Sequence, residues 1–375
     1  MNSKYIIGTY YPEWNVYSRQ FLPTDIPCKK LTHVFYAFAR PSEQGQLVFS
    51  DVFSKNILKK VRKKDDINGL CGEMMDLKKQ YRHIKVILSI GGGSGSKFFG
   101  IVCTNDERRN IFVNNIFAAV TNYGFDGIDI DWEYPRDDLE ATSLCTLIND
   151  IRLRLDKIHI SVAINPLPYY VFIIKPERFI SNIDYLMLMC YDFSGPWSKN
   201  TRHQCNLFST PVCDKSIEAC IKLLTDKGIP SNKLLMGCPL YGRAFANSEG
   251  LNGGYNGSCK GTWEDNVFDY NKIVDTNEKY DDEHGATYSY DENKRIFITY
   301  DSPKSIQEKV NFIKNKKMGG IVTWSINSDY PSGHPRSLHD IIYNSLTRFP
   351  SSIDLSDNKI CYSESIYPNI KNLKI

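Results

Sequence analysis

The sequence predicts an α/β chain folded as a (β/α)8 barrel, the TIM-barrel architecture, with a small α+β insertion between strands seven and eight. Three features carry that reading. Eight short runs rich in β-branched and aromatic residues recur along the 375 residues. Helical spacing fills most of the stretches between them. The runs are continuously apolar instead of alternating, as expected for parallel strands covered on both faces. A length of about 150 residues per domain would suggest two or three domains, but α/β barrels hold roughly 250 residues or more as one.

In chain order the runs are Tyr5–Tyr10, Thr32–Phe38, Lys85–Ile90, Gly127–Asp131, His159–Ile164, Tyr185–Met189, Leu234–Cys238 and Gly320–Trp324. Between the third and fourth, Arg108–Asn122 places Ile111, Phe112, Ile116, Phe117 and Val120 on one helical stripe, and Gly124 follows at a C-cap position. The gap from Cys238 to Gly320 is too long for one crossover helix. Its middle is rich in Gly, Asn and aromatics, and it returns through ITYD to a helical stretch, Ser305–Asn315. The expected organisation is therefore a barrel from residues 1–243 and 300–346, an insertion module over 244–299, and a polar tail over 347–375 packed on or near the barrel.

Composition excludes several classes. The charge balance is 46 Lys and Arg against 43 Asp and Glu, a net +3, so no basic stripe calls for nucleic acid. No apolar run approaches the roughly 20 residues of a membrane helix. The start, MNSKYIIGTYYPEW, has no uninterrupted apolar stretch before Glu13 and does not read as a secretory signal. The expectation is a cytoplasmic or unconventionally exported protein, or an extracellular one if the N-terminus was trimmed. Eleven cysteines include no CxxC pair and no zinc-ligand spacing with His, so they read mainly as reduced core residues, with no metal and no cofactor expected. The chain is expected to act as a monomer.

The most informative stretch is FDGIDIDWEYP, Phe125–Pro135. Alternation along a strand points Asp129, Asp131 and Glu133 one way, and Ile128 and Ile130 the other. Three acids on the lumen face of a central strand, with Asp126 close by and no Lys or Arg within the stretch, form a costly arrangement. Crowded buried carboxyls force some of their number to hold protons. That is the environment of general acid chemistry, and Glu133 lies furthest toward the end of the strand where barrels place catalytic groups.

FDGIDIDWEYP resembles the DGxDxDWEYP signature of glycoside hydrolase family 18, the chitinase family. SIGG at Ser89–Gly92, MCYDFSGPW at Met189–Trp197, YGRAF at Tyr241–Phe245 and GGIVTW at Gly319–Trp324 are similar to other motifs of that family. HQCNLF, GTWEDNVFDY and YSESIYPNI look most like fungal-type members. The resemblance spans nearly the whole chain and implies a chitinase that cleaves β-1,4-linked N-acetylglucosamine with retention, the sugar's own acetamide acting as nucleophile. It implies Glu133 as proton donor, Asp131 as acceptor of the acetamide N–H, Asp129 sharing a proton with Asp131, and Tyr191, with Asp192 beside it, steering the acetamide carbonyl. Trp324 would be the platform under the reacting sugar. Tyr10, Phe38, Met189, Trp197, Tyr241 and Arg243 would line the cleft, Arg243 alternatively clamping the insertion. Ser89 and Gly91 pack beneath the acids.

Two departures stand out. The family usually reads SIGGW, whereas Gly93 occupies the Trp position, removing a stacking surface. Ala163–Pro166 also differs from the usual small-residue run. The expected partners are chitin and chito-oligosaccharides. The alternatives are a chitin-binding lectin on the same scaffold and an endo-β-N-acetylglucosaminidase acting on glycans.

Overall fold

The computed structural model describes residues 4–51, 69–211, 214–347, 352–358 and 362–371. Its strands are β1 (Ile6–Pro12), β2 (His33–Pro41), β3 (Leu47–Phe49), β4 (Lys85–Gly91), β5 (Gly127–Asp131), β6 (His159–Ile164), β7 (Tyr185–Leu188) and β8 (Leu234–Pro239). There follow β9 (Tyr241–Phe245), β10 (Val267–Asp269), β11 (Glu278–Asp281), β12 (Ala286–Asp291), β13 (Ile296–Tyr300) and β14 (Gly320–Trp324). Eight of them form one sheet in the order β1-β14-β8-β7-β6-β5-β4-β2, and β1 pairs with β2 to close it into a barrel. β3 runs antiparallel outside β2. The eight runs read from the sequence are these eight strands, with ends shifted by a few residues at most. Every residue of β1, β6 and β8 is buried, which is why they read as unbroken apolar stretches.

The crossover helices start where the sequence supplies a cap. Asp137 accepts the Glu140 N–H at the head of helix Asp138–Arg154, whose last turn carries Arg152 and Arg154 toward the negative end of its dipole. Ser302 caps helix Pro303–Asn315, with Pro303 in the first turn. Helix Asp106–Ala119 ends three residues before the predicted Asn122, continuing as a wider turn to Gly124. Gly124 is required there twice over. Its φ of +88° disfavours other residues, and an added Cβ would lie 2.4 Å from Ile370 Cδ1.

Two compact units are distinguished, residues 1–7, 165–168 and 188–353 in the first, and 8–164, 169–187 and 354–375 in the second. The insertion is a five-stranded antiparallel sheet ordered β10-β9-β13-β12-β11. The sequence-based boundary of 244–299 is corrected in two respects. The sheet begins at Tyr241 and ends at Tyr300, and it belongs wholly to the first unit instead of standing as a module of its own. The reason is local. Leu240 alone separates β8 from β9, and its N–H donates to the Trp324 carbonyl at 2.7 Å. The buried Gln204 amide donates to the carbonyls of Tyr241 and Thr299. Asp301, just past β13, is buried against Lys309 of the next helix at 2.6 Å.

In the second unit the tail is tied down by a buried network. Asp126, fully buried, accepts from Lys78 Nζ, the Val86 N–H, Asn358 Nδ2 and the Tyr362 hydroxyl. Asp126 therefore does not belong with the acid line, a correction to its reading as a neighbour of Asp129. It is neutralised from a helix 48 residues upstream, which no inspection of the stretch Phe125–Pro135 reveals. Burial lowers the Lys78 pKa to about 8 against the pull of Asp126. The nine described cysteines form no disulfide among themselves. No helix among the described residues is long and apolar enough to cross a membrane. Replacing Lys78 by Met leaves a buried carboxylate without its cation. The expected loss is about 3–5 kcal/mol of stability, read as a lowered denaturant midpoint with unchanged slope, and a parent-like midpoint would show that the hydrogen bonds to Asp126 suffice.

Candidate active site

Strand register builds the centre of the acid line. β4, β5 and β6 set Ser89, Asp129 and Ser161 opposite one another in a row. The hydroxyls of Ser89 and Ser161 donate to Asp129 at 2.9 and 2.7 Å, and the Tyr10 hydroxyl reaches the same carboxyl at 2.8 Å. Asp129 is completely buried, and burial raises its pKa while these three donors hold it down. Asp131, two residues on, has no such support. Its Oδ1 is buried without a hydrogen-bond partner. Burial first, then repulsion from Glu133 and Asp129, pushes its pKa well above the ordinary carboxylate range.

The backbone around the line is equally constrained. Gly91 has a φ of +127°, and a Cβ there would fall 2.0 Å from the Asp131 carbonyl oxygen. Only glycine lets β4 come that close. The Gly92 N–H donates to the same carbonyl at 2.8 Å. Trp132 turns the opposite way from its acidic neighbours and stacks on Phe99, ring centres 5.3 Å apart. Glu133 is half-buried, and its N–H donates to Ser96 Oγ at 2.8 Å. An added Cβ on Gly93 would meet Glu133 Oε2 at 3.9 Å and no other described atom within 4 Å.

The first unit carries a second constellation. Asp192, at a φ of +59°, accepts from the Tyr241 hydroxyl at 2.7 Å and from Arg243 Nε and Nη2, both at 2.8 Å. The two guanidinium bonds make a bidentate pair. Arg243 also lies 5.1 Å from the ring centre of Trp197, which is 60% exposed. Tyr191, half-buried, meets Tyr241 edge to face at 6.2 Å. Trp324 ends β14, half-buried.

Several expectations are thereby placed and some are revised. Tyr10 does not line a cleft. It is 1% exposed, stacked on Phe35, and its hydroxyl is committed to Asp129. Phe38 packs toward Trp14 and over Gly92, and Met189 is buried, so both offer little surface to a ligand. Arg243 is held in a bidentate pair with Asp192. Ser161 and Ser96 were missed. The one signal that could have found Ser161 is register, since it stands level with Asp129 one strand over. Among the described residues, His203 Nε2, His284 Nδ1 and an oxygen of Asp281 lie within 4.8 Å of one another and could hold a metal ion. The hydrogen bonds from both imidazoles to Asp281, at 3.1 and 2.8 Å, already account for that arrangement.

This geometry can be set beside known proteins. The family model for glycosyl hydrolases family 18 matches residues 6–329. The chain belongs to glycosyl hydrolase family 18. Chitinase 1 of Aphanocladium album is 31% identical to this family 18 chain, over 97% of it and 90% of the relative. The class V chitinase of Nicotiana tobaccum is 25% identical with a TM-score of 0.79, covering 91% of this chain and 99% of that one. A Bacillus thuringiensis chitinase shares the fold at a TM-score of 0.85 and 24% identity, covering 96% and 71%.

The raised Asp131 pKa has a consequence for this glycosidase's stability. A carboxyl that keeps its proton in the folded state but loses it on unfolding favours folding less as pH climbs above about 4. Asp131→Asn removes that term. The variant is therefore expected to gain stability relative to the parent above about pH 4, with the margin widening until the folded-state carboxyl itself titrates. Melting curves across that range check it, and a margin that is flat or shrinks would contradict the assignment.

Proposed function

We propose that this family 18 glycosidase is a chitinase, hydrolysing β-1,4 bonds between N-acetylglucosamine units as a monomer without a cofactor. The observation that carries the reading is Asp131 Oδ1, buried without a hydrogen-bond partner on a carboxyl whose pKa is raised by burial and by repulsion from Glu133 and Asp129. A buried acceptor left unpaired is costly in the free protein. The N–H of a sugar's 2-acetamido group satisfies it, and in doing so turns the acetamide carbonyl toward the anomeric carbon. Relatives named as chitinases support the substrate class, and a mutant of the Nicotiana tobaccum class V chitinase has been crystallised with NAG4.

In this mechanism Glu133 protonates the glycosidic oxygen as the acetamide oxygen attacks the anomeric carbon, giving an oxazolinium ion and a freed chain end. Glu133, now a carboxylate, takes a proton from the water that opens the ring, and the product keeps its β configuration. Asp131 balances the positive charge of the intermediate, and the proton moves toward Asp129 as it does so. The lectin alternative is disfavoured because Glu133 is present, its backbone N–H fixed on Ser96 Oγ.

Glu133→Gln keeps the shape and removes the transferable proton. The expected drop in kcat on chito-oligosaccharides is about 10²–10⁴-fold, with β anomers released first by the parent in NMR of fresh products. Parent-like turnover in the variant, or α anomers from the parent, would refute the mechanism. The parent's rate against pH should be bell-shaped, its alkaline limb reporting loss of the Glu133 proton. Gly93→Trp restores a ring beside the acid. It is expected to lower KM for a hexamer about two- to tenfold, the range of about 0.5–1.5 kcal/mol for one aromatic contact, while leaving a chromogenic dimer unaffected.

A further inference from the structure

Glu133 lies past the paired part of its strand. The residues of β5 in register with β4 end at Asp131, and those in register with β6 end at Ile130. The acid follows two residues after the last of them, so the alternation that aims it into the lumen is no longer imposed by a neighbouring strand. A side chain takes over that role. Ser96 belongs to the turn Ser94–Phe98, shortly after β4, and is buried. Its Oγ accepts the Glu133 N–H at 2.8 Å and donates to the carbonyls of Gly92, at 2.9 Å, and Asp131, at 3.2 Å.

A hydroxyl is the group this position requires. It must accept from one peptide and donate to another, and serine does both from a single atom. The Asp131 carbonyl precedes Trp132 and the Glu133 N–H follows it, so Ser96 meets the backbone on both sides of that residue. The Trp132 ring is fixed in turn by Phe99, three residues after Ser96, at 5.3 Å between ring centres. Gly92 adds a bond from its own N–H to the Asp131 carbonyl at 2.8 Å. One short segment, Gly92 to Phe99, thus grips Asp131, Trp132 and Glu133 at successive points, all within the second unit. A buried network satisfied in this way rigidifies what it holds.

We propose that Ser96 is a positioning residue of the hydrolysis, its Oγ fixing the Glu133 backbone so that the acid reaches the glycosidic oxygen. This inference rests on the chitinase reading and deepens it. Proton transfer needs its donor within hydrogen-bond reach of the oxygen to be protonated, and a misplacement of about 1 Å costs up to about 10²-fold in rate. Ser96→Ala removes the acceptor and releases the acid to swing outward, away from Asp131. Asp131 and Glu133 repel one another, and a carboxyl moved away from a like charge gives up its proton more readily.

The test uses the full chain with Ser96→Ala, Ser96→Thr and Ser96→Cys, each assayed on a chromogenic chitobioside well below its melting temperature. Ser96→Ala is expected to lower kcat about 10–100-fold with KM within about twofold of the parent. The alkaline limb of its rate against pH should move toward lower pH. Ser96→Thr keeps the hydroxyl and should retain kcat to within about threefold, whereas Ser96→Cys, with only a weak hydrogen-bonding group, should fall in the direction of Ser96→Ala. Amide hydrogen exchange at Glu133, read without substrate, should quicken in Ser96→Ala while the β4 amides keep the parent's rates. A Ser96→Ala enzyme with the parent's kcat and pH profile would overturn the proposal. So would a loss confined to KM, a folded Ser96→Thr as slow as Ser96→Ala, or an unchanged Glu133 amide. A parent that leaves the chitobioside intact refutes the chitinase reading instead, and the amide measurement still decides whether Ser96 holds the acid.

Discussion

Two carboxyls at the buried end of β5 resist being charged together without a cation, and among the described residues of the second unit none forms an ion pair with them. Asp126 takes Lys78 for itself. What Asp129 receives instead is three hydroxyls, from Tyr10, Ser89 and Ser161, which stabilise negative charge without adding positive charge. Asp131 receives no such donor at Oδ1. The asymmetry makes the two carboxyls unequal places for a proton. A lysine in place of either serine would fix both carboxylates as anions and abolish that choice. The hydroxyls keep the proton movable, and the close glycine contact at Gly91 keeps Asp131 where it can use it.

Much of this was legible in the sequence, and the part that was not has a common cause. Continuous apolar runs gave the eight strands because each is buried on both faces, and a period of two placed Asp129, Asp131 and Glu133 on one side. The Asp131–Glu133 spacing needs nothing beyond the strand itself. Ser161 and Tyr10 needed the barrel. Ser161 is level with Asp129 only once β5 and β6 are in register, and Tyr10 is 119 residues away from the carboxyl it serves. An aromatic at the first strand reads as a sugar platform until its hydroxyl is seen to be in use. The same limit hid the partner of Asp126. Local patterns report which face a residue takes, whereas charge balance is settled by contacts far apart in sequence.

The insertion boundary failed for a related reason. Composition changes after Arg243, where Gly and Asn begin to accumulate, but the hydrogen bonding changes earlier, at Leu240. Tyr241 and Arg243 lie on the first inserted strand and hold Asp192, which follows β7. The strand that opens the insertion is thus also the strand that braces the loop carrying Tyr191. A cut made on composition would have assigned the bracket and the bracketed group to different domains. Their pairing, two guanidinium bonds and a hydroxyl on one carboxylate, is what makes the first unit continuous through the insertion.

Chemistry and binding are built from different materials here. The proton-handling groups are buried, fixed by hydrogen bonds and register, and intolerant of added volume at Gly91. The aromatic surfaces are exposed: Trp197 at 60%, Tyr169 at 70%, Phe172 at 58%. A buried group set by several donors cannot be altered without disturbing its neighbours, while an exposed ring can change with little effect on packing. Gly93 lies between these regimes. A Cβ there would meet Glu133 Oε2 at 3.9 Å, an ordinary van der Waals contact. It is therefore a position on the acid's border where added volume meets only ordinary contact, unlike Gly91, where a Cβ would fall 2.0 Å from the Asp131 carbonyl oxygen.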